Sequence, residues 1–348
     1  MAVTFKNLVL DQDIANTRTL LNEAIPLTGT IVSGTYTDSA GTERNIKDYA
    51  HGMFQSVYDY PYLSSSANHV CDLTVGYSSD SALSSSTSVQ NAKKINIYNQ
   101  MAQVLVGLDD TGAIRKFDQD GNLAAGTKMK ECIFINTARL LAKDEIQKGS
   151  FIFTAMTGGT PVAPTDKLTI SDYGATTSYF VNSPAGEYGL LYTSSAEPNV
   201  NSGVGLVYYQ AGVAVLTASV FNGEFGAPAA TYDTSSIDAV LTGSEISSSC
   251  DAIRNRWSDM DFNNTTELNS TIYFCRAGAG EFNYSSNPTY LSSSQIRVKE
   301  LASEEPVSYV TTVGLYSADN ELLAVAKLSE PLKKTPANEI TLRVRLDY

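Results

Sequence analysis

The end of the sequence is its most constraining feature. Ile340, Leu342, Val344, Leu346 and Tyr348 alternate strictly with Thr341, Arg343, Arg345 and Asp347. A period of two describes a strand with one buried face and one face turned to water or to a partner. Since the alternation runs to the last residue, the C-terminus is predicted to lie in a sheet and not in a tail.

Strand signals extend over much of the chain. The stretch LVYYQAGVAVLTASVF reads as two strands around Gln210-Ala211-Gly212, and PVSYVTTVGLYSADNELLAVAKL as a hairpin turning at Ala318-Asp319-Asn320. Residues 104–135 read as successive hairpins, with turn chemistry at Asp110-Thr111-Gly112 and Asp120-Gly121. Helical periodicity is confined to three places. Residues 11–25 carry Ile14, Leu21, Ala24 and Ile25 before Pro26. Residues 88–106 place Ile95, Tyr98, Met101, Ala102 and Leu105 on one face, with Ser88 as the cap. Residues 244–257 align Ile246, Cys250, Ile253 and Trp257. The expected class is α+β and β-predominant: antiparallel sheets and hairpins with a few short helices. Pro161 and Pro164 lie in the polar stretch 157–166, which is the expected boundary between an N-terminal mixed region, 1–157, and a C-terminal β-rich domain, 167–348.

With 348 residues, 43% of them hydrophobic, the chain can bury a sizeable core. Its 20 tyrosines and 12 phenylalanines are not the composition of a disordered chain. A net charge of −13 disfavours a nucleic-acid partner, because attraction to phosphate requires clustered Lys and Arg. No apolar run is long enough for a signal peptide or a membrane span, so synthesis in a cytoplasm without membrane insertion is expected. Cys71, Cys132, Cys250 and Cys275 form no C-x-x-C pair and read as free, mostly buried thiols.

Motifs that carry chemistry are scarce. There is no Gly-Lys pair for a phosphate loop, no G-x-S-x-G, no S-x-x-K and no H-E-x-x-H. His51 and His69 are the two histidines. His69 and Cys71, two apart in an extended segment, would share a face, although packing or surface roles are the better reading of both. Asp118, Asp120 and Asn122 superficially resemble a calcium loop, but Gly121 and Met129 stand out of register with that motif, so a hairpin turn is favoured. The glycine pairs Gly203/Gly205 and Gly278/Gly280 lack the third glycine of a dinucleotide fingerprint. The expectation is a protein with no catalytic residue, no cofactor and no metal.

The tyrosines point instead to contact surfaces. Tyr58, Tyr60 and Tyr62 flank Pro61, which does not suit a regular strand, and exposed aromatics favour an interface over simple strand propensity. Several phrases resemble those of virion structural proteins from contractile-tailed phages, particularly marine and cyanobacterial ones. They are YDYPYLSSSANHV, SVQNAKKINIYNQMAQVLVG, KDEIQKGSF, GVGLVYYQAGVAVLTASVF, EFNYSSNPTY, the stretch PVSYVTTVGLYSADNELLAVAKLSEPLKK and the closing LRVRLDY. The resemblance runs from about residue 54 onward. It implies a non-enzymatic virion subunit of the tail or baseplate, with the neck and the fibre attachment region left open. Such a subunit would be assembled in the host cytoplasm and held by other copies of itself and by neighbouring tail or baseplate proteins. On that reading the contact residues are Tyr58, Tyr60 and Tyr62, Asp319 in its hairpin, and Arg343 and Arg345 on the terminal strand. Either arginine equally suits an ion pair within the chain. The alternative is a receptor- or glycan-binding module at the tail tip or fibre attachment region.

Overall fold

The computed structural model describes residues 5–32, 45–85, 87, 89–123, 125–159, 164–193, 203–221, 236–284, 291–292, 295–296 and 303–348. Strands dominate, the paired strands run antiparallel and the helices are short, so the fold is α+β and β-predominant. The chain divides into two units: Leu21–Thr266, and a second made of Met1–Leu20 with Glu267–Tyr348.

The larger unit is built on an eight-stranded sheet. In spatial order its strands are Ile46–Asp48, Gln55–Tyr58, His69–Tyr77, Glu131–Thr137, Val213–Thr217, Gly205–Tyr208, Gly186–Leu191 and Phe180–Ser183. The central strands are apolar on both faces, as double coverage requires. Against one face lies the helix Ile246–Arg254, where Arg254 Nε donates to Gln55 Oε1 at 3.0 Å and the Cys250 thiol approaches Leu73 O at 3.2 Å. The helix Asn91–Leu105 covers part of the other face. Gly76 makes that approach possible, because a Cβ there would stand 2.8 Å from Lys94 O and 2.9 Å from Tyr98 N. Tyr98 then meets Phe117 and Phe134 edge-on. Lys94 is wholly buried, with Nζ donating to Gly243 O at 2.7 Å, and burial lowers its pKa. The hydrophobic core, from Leu27 to Phe262, lies within this unit.

In the smaller unit, Ser270–Ala277 of the strand Trp257–Ala277 pairs with the terminal strand Ile340–Asp347, from Ser270 opposite Asp347 to Ala277 opposite Ile340. Ser308–Tyr316 and Leu322–Lys334 form a separate hairpin. Among the described residues of this unit, the buried apolar side chains are Leu315 and Val344. Its other interior positions are polar. Lys334 is fully buried, and its Nζ donates to Ala279 O at 3.1 Å, Asn283 Oδ1 at 2.8 Å and Thr335 O at 2.9 Å. Three oxygens around one ammonium satisfy all its donors.

The terminal strand keeps its predicted alternation, with Ile340, Leu342, Val344 and Leu346 turned inward, but Tyr348 is exposed. Other expectations are corrected. Residues 11–25 are not a helix: a short turn, Leu10–Asp13, gives way to the strand Ile14–Thr28, paired with Trp257–Ala277. Thr17 and Thr19 suit that ladder better than a helix. The turns at 109–112 and 120–121 form, but each closes a single bridge, Leu108 with Ile114 and Asp118 with Lys128. Asp109 Oδ1 captures the Thr111 and Ala113 amides at 2.8 and 2.9 Å, drawing them away from a ladder. Ser88 lies outside the described residues. Trp257 is buried but opens a strand after the third helix. The boundary expected at 157–166 falls instead in a hairpin within the larger unit. There Gly158 faces Asp166 and Gly159 faces Pro164, while residues 160–163 lie outside the described set.

Candidate interaction surfaces

Where the helix Asn91–Leu105 ends its cover, the sheet face turns polar and aromatic. Lys47, Ser56, Asp72 and Asn136 stand opposite one another across four adjacent strands. With a period of two, this row shares its face with Thr74 and Gly76 of the same strand. A hydrogen-bonded thread crosses it. Tyr49 Oη lies 3.2 Å from Ser56 Oγ, Ser56 Oγ donates to Asp72 Oδ1 at 2.5 Å, and His69 Nε2 meets the same oxygen at 2.9 Å. The bond to Asp72 raises the His69 pKa against the opposing effect of burial.

Rings gather at both ends of the thread. The Tyr49 and His51 rings are stacked with centroids 5.0 Å apart, Phe54 stands 4.8 Å from Tyr49, and Lys47 Nζ lies 4.8 Å over the Tyr49 ring. At the other end, the Tyr58 ring lies 5.5 Å from His69 and 6.2 Å from Tyr62. Tyr58 ends its strand, and Tyr60 and Tyr62 follow in the loop. Asp59 holds that loop, accepting from the Asn68 backbone at 2.6 Å and from its side-chain amide at 2.9 Å. Tyr58 and Tyr62 are half-buried and Tyr60 is exposed. Of the expected tyrosines, the structure therefore brings Tyr58 and Tyr62 together. The sequence reading missed Tyr49, Phe54 and the Asp72 thread, although Lys47-Asp48-Tyr49 already shows a short alternation.

In the smaller unit, Arg345 Nε donates to Asp347 Oδ1 at 2.6 Å and Nη2 to Ser270 Oγ at 3.1 Å, so its partner is within the chain. Arg343 is exposed on the same face. Asp319 is exposed at the hairpin tip, where its N–H donates to Ser317 Oγ and Asn320 adopts φ 64°. The missed surface is the apolar one beside it: Tyr316, Leu322, Leu323 and Val325 are all exposed. The alternation in ELLAVAK was its signal.

In the thread the Asp72 carboxylate stands between the Ser56 hydroxyl and the His69 imidazole. A serine nucleophile needs the imidazole at its hydroxyl, and here the Asp72 carboxylate occupies that place. His69 and Cys71 do not act together. A register shift at Val57/Tyr58 accompanies His69 turning to Asp72, while Cys71 is buried and its thiol pKa is pushed up to about 12 by burial. At the loop resembling a calcium site, Asp118 Oδ2 takes Lys128 Nζ at 2.6 Å, and Asp120 accepts from both nitrogens of Asn122. Among the described residues no three His, Cys, Asp or Glu side chains gather as metal ligands. No helix of the described residues is long and apolar enough to cross a membrane. No protein-family model, curated protein or solved structure matches this chain.

Proposed function

We propose that this chain is a non-enzymatic structural subunit of a phage virion, a tail or baseplate component that acts through protein–protein contacts. One observation carries the assembly part of this reading. The unit formed by Met1–Leu20 and Glu267–Tyr348 buries few apolar side chains among its described residues, yet exposes Phe5, Leu10, Tyr316 and Leu323. Exposed apolar side chains gathered on one hairpin, as Tyr316, Leu322, Leu323 and Val325 are, suit a surface completed by a partner. The virion assignment rests on the phrase resemblance. Mass spectrometry and reconstruction of purified particles test it. The expected result is this chain at fixed stoichiometry beside other tail proteins. Particles that assemble and infect normally without it would sink the assignment.

A second reading, a receptor- or glycan-binding module, draws on the Tyr49, His51, Phe54, Tyr58 and Tyr62 rings around Asp72. Rings beside a carboxylate suit sugar faces and hydroxyls. Tyr49→Ala and Asp72→Ala variants that lose cell or glycan binding, with particle incorporation intact, would favour it.

A further inference from the structure

Lys334 closes the strand Leu322–Lys334 and is wholly buried, yet among the described residues no carboxylate stands within ion-pair distance of it. A buried charge without a counter-charge is costly even when its hydrogen bonds are made. One of the oxygens around its Nζ belongs to a side-chain amide, Asn283 Oδ1 at 2.8 Å. Asn283 Nδ2 donates to Ala279 O at 2.7 Å, and Lys334 Nζ donates to that same oxygen at 3.1 Å. The amine and the amide nitrogen therefore meet at one acceptor, and the amide is gripped at both ends. Phe282, just before it, holds φ 55°, a left-handed backbone that a side chain disfavours, and Ser308 Oγ donates to Phe282 O. On the other side of that strained residue, Glu281 accepts from Lys6 Nζ at 2.8 Å and from Gly278 N at 2.9 Å. The Lys6 bond first, and the Lys334 charge as a smaller cause, lower its pKa, so a carboxylate lies within electrostatic reach of the amine.

This unit has little else to hold it together. Among its described residues it buries the apolar side chains of Leu315 and Val344, and its one cysteine, Cys275, is a free thiol. Small folds with so little core are commonly held by a covalent or metal staple. We propose that Lys334 and Asn283 form one: an amide bond between Nζ and Cγ, made by the folded chain itself with loss of ammonia. Nζ passes one proton to the Glu281 carboxylate and attacks Cγ. The Cγ–Nδ2 bond breaks, and the departing nitrogen takes a second proton from Nζ and the one held by Glu281. An ammonium ion leaves, one hydrogen stays on the new amide, and no oxidant or cofactor is consumed. The buried charge disappears in the same step. The bond joins positions 51 residues apart, which removes freedom from the unfolded chain. Lys94 is the internal contrast: its Nζ donates to the Gly243 backbone carbonyl, and among the described residues no side-chain amide bonds it.

The test is the intact mass of the full chain, followed while the purified protein stands at neutral pH. A newly folded chain carries the sequence mass, and the joined chain is about 17 Da lighter, the mass of ammonia. Peptide mapping should then give one branched species containing Asn283 and Lys334, with Lys94 in a linear peptide. Asn283→Ala and Lys334→Met should each keep the full mass of their own sequences. Glu281→Gln should slow joining at least about ten-fold, and unchanged joining in that variant would overturn the carboxylate's part. A parent that keeps its full mass, with Asn283 and Lys334 in separate linear peptides, overturns the bond. So does the same mass loss placed by mapping in a linear peptide, the mark of an asparagine closing on its own backbone. The parent chain decides these outcomes, whether or not a variant folds.

Discussion

At Arg254 one guanidinium ties together separate segments of the larger unit. Nε reaches Gln55, Nη1 donates to Val32 O at 2.8 Å, and Nη2 bonds Asp251. Arg254→Ala leaves the Gln55 and Val32 oxygens without that donor and should cost about 3 kcal/mol in denaturant unfolding. Arg254→Lys should recover little, lacking the planar fork. Gly76 works by absence: Gly76→Ala forces a methyl against helix backbone that cannot swing aside, and should destabilise by about 2 kcal/mol. His69 supplies a pH dependence. Its pKa is raised in the folded state by Asp72, so its stabilising contribution is full below the unfolded value near about 6.5 and fades as pH rises through the folded value. Asp72→Asn should flatten this slope and return the His69 NMR titration toward the ordinary range. A His69 titration unchanged in the variant would refute the pairing.

The terminal strand shows the same logic over a whole element. Its ladder to Ser270–Ala277 is continuous over eight residues, and the Asn269 and Tyr348 backbones bond each other beyond it. Deleting residues 340–348 should strip one edge of Ser270–Ala277 and speed proteolysis there and, on the proposed virion reading, abolish particle incorporation. This element was legible because alternating burial imprints directly on sequence, and the hairpins turning at Gln210–Gly212 and Ala318–Asn320 were legible for the same reason. Residues 11–25 were not. Ile14, Leu21, Ala24 and Ile25 fit a helical spacing, yet pairing with a distant strand decides the outcome, and no local pattern announces that partner. The contact surfaces were half-legible. Tyr58 and Tyr62 stand out in sequence, whereas the thread from Tyr49 to His69 depends on cross-strand register among three strands. Arg345 has the alternation of a contact residue and an acidic neighbour two positions on that occupies it.

Over the whole molecule, apolar burial is unevenly shared between the two units. The fragment 21–266 contains the core and should unfold cooperatively by calorimetry, whereas 267–348 alone should give no sharp transition, having too little apolar burial among its described residues to offset chain entropy. A sharp transition in the short fragment would contradict this. The net charge of −13 keeps copies apart in dilute solution, so association requires a matched face rather than general stickiness. Among the described residues, two fully enclosed lysines have a practical corollary. Lys94 belongs to the larger unit and Lys334 to the smaller; the Lys94 amine is buried against the Gly243 carbonyl, and the Lys334 amine, while still free, among two backbone oxygens and the Asn283 side chain. An acylating reagent therefore modifies the exposed lysines at once, and reaches these two only when their surroundings open. Their acylation times form a pair of independent chemical clocks, one for each unit, readable from a single peptide map.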